Sequence, residues 1–105
     1  MPHTEICVKH KLAVKEVIER LKNDTENLLD EFSDKIVKSE YGWNKNNATF
    51  SIWGPMGVKI AGTIFVELNY VIVEFEFPTI GRLYIKEAKR LIKERLNKVL
   101  KPQRS

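Results

Sequence analysis

Residues 36 to 77 switch to β-branched and aromatic side chains with a period of two, and the interruptions of that pattern are brief. Asn44-Lys45-Asn46-Asn47, Gly54-Pro55-Met56-Gly57 and Leu68-Asn69 punctuate it. A parallel crossover needs a dozen or more residues, so connections this short suit a meander of antiparallel strands. The spacing predicts strands near 36–43, 48–54, 58–67 and 70–77. The first turn is assigned to its asparagines, which tolerate left-handed backbone cheaply, and the second to Pro55 with its flanking glycines.

Alternation then sorts the side chains. Phe50, Ile52, Ile60, Ile64, Val71, Val73, Phe75 and Phe77 fall on one face, and Thr49, Ser51, Trp53, Lys59, Thr63, Phe65, Tyr70, Ile72, Glu74 and Glu76 on the other. A slip of one residue would exchange the two sets.

Two segments with helical periodicity flank the meander. From residue 12 to 32, Val14, Val17, Ile18, Leu21, Leu28, Leu29 and Phe32 share one stripe, with no strong capping residue at the start. From residue 80 or 83 to 100, Tyr84, Ile85, Ala88, Leu91, Ile92, Leu96 and Val99 make a second stripe. Glu94 and Lys98 form an i,i+4 pair in the favourable order, and Pro102 closes the helix. Glu5-Ile6-Cys7-Val8-Lys9 alternates weakly and reads as a short first strand. The expected fold is α+β in the order β-α-β-β-β-β-α, an antiparallel sheet of four to five strands with both amphipathic helices on one face. At 105 residues the chain fits one domain, with residues 1–4 and 102–105 expected to fray.

Charge is unevenly distributed. Residues 82 to 105 hold nine Lys and Arg against Glu87 and Glu94, while residues 1 to 81 hold nine cations and twelve carboxylates. Lys86, Lys89, Arg90, Lys93 and Lys101 gather opposite the apolar stripe of the last helix. Such a face suits an anionic partner, although many lysine-rich helix faces are only solvated. No nucleic-acid recognition motif accompanies it. On the sheet, Trp53, Phe65, Tyr70 and Ile72 are the candidate apolar interface, for a second copy of the chain or for a hydrophobic ligand or polymer surface. Cover by the first strand is the competing expectation.

Catalytic patterns are missing from the sequence. Glu74 and Glu76 lie about 7 Å apart on one strand face, but a general acid needs burial to raise its pKa, and a solvated sheet edge is the simpler reading. His3 and His10 bracket Cys7 at spacings that do not bring three ligands together, so no metal is expected and Cys7 reads as a small core hydrophobe. Phosphate-binding loops, dinucleotide fingerprints and serine-nucleophile signatures are absent, so neither a cofactor nor enzymatic activity is expected. One cysteine permits no internal disulfide. The first residues lack an apolar run of signal-peptide length, and nothing approaches the ~18 apolar residues of a membrane span, which leads to an expectation of a cytoplasmic protein.

His10-Lys11-Leu12 at the start of the first helix, Trp43-Asn44, Ala48-Thr49-Phe50-Ser51, Gly54-Pro55-Met56-Gly57, Phe75-Glu76-Phe77-Pro78 and the final "IKEAKRLIKERLNKVL" come in a telling order. From about residue 8 to 100 this order resembles the polyhydroxyalkanoic acid system family, small bacterial proteins associated with polyhydroxyalkanoate granules and their regulation. Lys45 and Asn47 stand where that family commonly has a glycine-containing turn. The resemblance implies a non-enzymatic, granule-associated or regulatory protein, whose partners are the granule surface or the proteins on it. It names no reaction. The alternative is a small-ligand or acyl-binding domain with a cavity between sheet and helices, lined by residues such as Phe50, Ile60, Phe75 and Tyr84.

Overall fold

The computed structural model describes residues 3–55, 58–76 and 85–101. Its elements run β1 (His3–Lys9), α1 (Val14–Glu31), β2 (Lys38–Asn44), β3 (Asn47–Trp53), β4 (Lys59–Val66), β5 (Tyr70–Glu76) and α2 (Ile85–Val99). The five strands form one antiparallel sheet in the order β1-β5-β4-β3-β2. β2 to β5 are the meander, each strand beside its sequence neighbour, and β1 returns to close the far edge against β5.

The register carries the alternation as expected. Ile6 lies opposite Val73 and Val8 opposite Val71, while Val73 meets Ile64 and Ile64 meets Ala48. These side chains join Val17 and Leu21 of α1, Leu96 of α2 and Leu100 just past its end in one core, so both helices pack on the same face. Phe75 lies at its centre, 1% exposed. Phe77 and the start of the second helix before Ile85 fall outside the described residues, as do Pro78, Tyr84 and Pro102.

Local chemistry sets the turns. Asn44 pairs with Asn47 across a two-residue turn, and within it Lys45 takes a positive φ of 57°. The strained position is therefore the lysine, not an asparagine, because a two-residue hairpin needs a left-handed residue directly after the first strand. Residues 67–70 close a second tight turn, with the Glu67 amide donating to the Tyr70 carbonyl at 2.8 Å. In the longer connection the Gly54 amide donates to the Val58 carbonyl at 2.8 Å, while Met56 and Gly57 lie outside the described residues.

Gly62 has a packing role that its sequence context hides. It sits in β4 between Phe50 on β3 and Phe75 on β5. A Cβ there would fall 2.6 Å from the Phe50 ring and would also strike the Glu74 carbonyl oxygen. The missing side chain is what lets Phe50 lie across the strand.

Three local expectations are corrected. Cys7 is exposed on the outer sheet face opposite Ile72, because strand alternation gives the inner positions to Ile6 and Val8. Leu91 stands 49% exposed, because the buried side of α2 is rotated toward Leu96 and Leu100. Glu94 pairs backward with Arg90 at 3.1 Å rather than forward with Lys98.

Candidate interaction surfaces

Helix α2 is anchored by Leu96 and Leu100 in the core, with Ile92 and Val99 packed at its margin. Lys86, Lys89, Arg90 and Lys93 all stand exposed on the helix, and Lys101 is exposed just beyond its end. Helical spacing puts the first four on one side of α2, all exposed, while Lys101 lies past the helix end. Arg90 is tied to Glu94, whereas Lys86, Lys89 and Lys93 form no ion pair among the described residues. The exposed Arg90–Glu94 pair contributes only a few tenths of a kcal/mol.

Two arginines on the flanks do different work. Arg20 of α1 donates through Nε to Glu16 Oε1 at 3.0 Å and through Nη1 to the carbonyls of Val99 and Lys101 at 3.0 and 2.7 Å. It therefore satisfies carbonyls that the end of α2 leaves without intrahelical donors. Arg95 of α2 reaches back to Asp24 Oδ2 at 2.8 Å and Glu31 Oε2 at 3.0 Å. Its pKa is raised, first by the hydrogen bond to Asp24 and further by Glu31, with desolvation acting the other way. These contacts run in opposite chain directions, so the helices are antiparallel. The Glu16–Arg20 spacing is visible in the sequence, but the partners across the helix pair are not.

The outer sheet face divides into zones. Phe65 lies directly opposite Ile72, with Cys7 next in the same row and Tyr70 at its corner, 40% exposed. Trp53 is six residues along β4 from that row, about 20 Å at the usual strand rise. Lys38 and Lys59 approach its ring with Nζ at 5.0 and 5.1 Å from the centroid. The four proposed apolar side chains are thus not one patch: three cluster at one end, and the fourth carries two cations at the other. Between them runs a hollow of about 350 Å³ floored by Thr49, Ser51, Ala61 and Thr63 and edged by Glu74 and Glu76. Glu74 faces Glu5 across the β1–β5 ladder, and Glu76 is exposed. This wet, hydroxyl-lined setting supplies no apolar enclosure for a general acid.

The spacing of His10 excludes it from a metal cluster without saying what it does, and the structure gives it a structural role. Only 5% exposed, it hydrogen-bonds through Nε2 to the Glu67 carbonyl at 2.9 Å and accepts the Leu12 amide at Nδ1, 3.2 Å away. The amide donor at Nδ1 places the ring proton on Nε2. Its own amide donates to the Asn69 carbonyl at 2.9 Å. One imidazole thus joins the end of β1, the β4–β5 turn and the entry to α1, with both nitrogens engaged. Among the described residues no group of three His, Cys, Asp or Glu side chains is placed to hold a metal ion.

No described helix is long and apolar enough to cross a membrane. No family model, curated protein or solved structure matched this chain.

Proposed function

We propose that the protein is a non-enzymatic interaction protein that docks on an anionic surface through α2, and that this surface belongs to polyhydroxyalkanoate granules or the proteins coating them. The granule setting comes from the family resemblance. The docking role rests on one observation: Lys86, Lys89, Arg90 and Lys93 are exposed while Leu96 and Leu100 fix the same helix in the core. Charge can therefore be offered to a partner at no cost in packing. Phe65, Tyr70 and Ile72 are available for a lesser apolar contact. The interaction reading is favoured over an acyl-binding cavity because Phe75, one of the expected cavity walls, is consumed in the packed core.

The test replaces Lys86, Arg90 and Lys93 together with Gln. Folding should change by less than about 0.5 kcal/mol, as expected for exposed positions. Association with isolated granules and with anionic vesicles should fall, and the difference should shrink as salt shortens the screening length below about 8–10 Å. Equal association of variant and parent at low salt would reduce the basic face to solvation. A ligand-dependent rise in melting temperature with hydroxyacyl compounds would favour the cavity instead.

A further inference from the structure

A second hollow, about 340 Å³, opens where the end of β1 meets the end of α2, and Lys9, His10, Lys11, Asn97, Leu100 and Lys101 line it. We propose that it is a binding site for a phosphate group, on a lipid headgroup or free in solution. The proposal extends the anionic docking assigned to α2 and rests on that reading for the lipid case only.

Three features carry it. Lys9 and Lys11 come from the β1 end and Lys101 from beyond α2, so cations from separate parts of the fold converge on one concavity. Among the described residues none of the three forms an ion pair and no carboxylate lines the hollow. A lysine ammonium serves as a point charge for phosphate, and the Asn97 amide is a neutral donor beside it.

The second feature is how the lysines are held. His10 lies between Lys9 and Lys11 and is pinned at Nδ1, Nε2 and its own amide. The flanking backbone is thereby fixed while both lysine side chains remain exposed.

The third feature removes the obvious objection. A helix C-terminus presents the negative end of its dipole, which repels anions. Here the Val99 and Lys101 carbonyls already accept from Arg20, so these two acceptors are satisfied rather than turned toward an incoming anion.

The experiment is an amide chemical-shift titration of the full chain with inorganic phosphate, on the parent and on the Lys9→Gln/Lys11→Gln double variant. Saturable shifts should be confined to residues 9–11 and 97–101. The double variant should bind about twenty-five-fold more weakly, at about fivefold per cation. Absent shifts, shifts spread evenly over all lysine-bearing surfaces, or an unaltered affinity in the variant would overturn the proposal. A second arm compares vesicles containing phosphatidic acid with vesicles of equal charge made with phosphatidylglycerol. A preference for phosphatidic acid that disappears in the double variant assigns the site to a lipid headgroup; saturable phosphate binding without that preference assigns it to a soluble phosphate. The Lys86/Arg90/Lys93 variant should lose binding to both vesicles equally and keep the phosphate shifts, so failure of the docking helix and failure of this site give different patterns.

Discussion

Replacing His10 tests whether three elements are joined through one ring. His10→Phe keeps the buried volume but leaves the Glu67 carbonyl and the Leu12 amide without their side-chain partner. A buried polar group stripped of its partner costs about 1–3 kcal/mol. Both groups are only partly buried and one bond is long at 3.2 Å, so the lower half of that range applies to each. The sum is about 2–4 kcal/mol. His10→Ala adds lost packing at a position 5% exposed and should cost about 1–2 kcal/mol more. Against a typical domain stability of about 5–15 kcal/mol, both variants should still fold. Urea denaturation followed by tryptophan fluorescence gives the energies, and hydrogen exchange at the Leu12 amide gives the local effect. Exchange there should accelerate in both variants. If His10→Phe lies within about 0.5 kcal/mol of the parent and Leu12 exchanges at the parental rate, the ring is mere filler and the bonding argument fails.

Truncating Phe75 to Ala should cost about 3–5 kcal/mol in the same assay, since its ring is fully buried, and a change below about 1 kcal/mol would mean that the sheet faces are inverted. Lys45→Gly should stabilise the hairpin by up to about 1 kcal/mol by removing the left-handed strain at φ 57°, and a lowered melting temperature would refute that account of the turn. Glu5→Lys should add about 0.2–1 kcal/mol by exchanging a like-charge cross-strand pair with Glu74 for an opposite one, more at low salt than at high; a destabilised variant would show that the pair is not repulsive.

The sheet was legible because its information is local and redundant. Period-two alternation fixes which face each residue takes, and connections too short for a crossover fix the direction of each neighbour, so the positions of Phe50, Val71 and Phe75 followed directly. Relations between distant residues were not legible. Gly62 reads as an ordinary strand glycine until Phe50 and Phe75 are placed on either side of it. His10 reads as a structural or surface residue, and only the 67–70 turn brought beside β1 decides for the structural role. Of the candidate site, the basic helix face emerged from helical spacing alone. The apolar patch was overestimated, because membership of one sheet face says nothing about separation along it, and Trp53 proves to be six residues along β4 from Phe65.

The two flanking arginines explain why α2 can be basic and still present one defined side. Residues 86 and 95 are nine positions apart, which at about 100° per residue places them on opposite sides of the helix. Arg95 is held against α1 by Asp24 and Glu31, so the Lys86 side must face away from α1. Partly exposed ion pairs contribute at most about 1 kcal/mol each, too little to hold the domain together but enough to bias the rotation of a helix about its axis. This leads to a prediction that charge counting alone would get wrong. Asp24→Asn with Glu31→Gln removes two carboxylates, so a protein that bound only through net charge would gain affinity for anionic vesicles. If Arg95 orients the lysine side, freeing it relaxes that orientation, and vesicle affinity should stay level or fall. Vesicle co-sedimentation at low salt measures this directly. A several-fold tightening in the double variant would show that α2 acts through its total charge and that the contacts to α1 only support the fold.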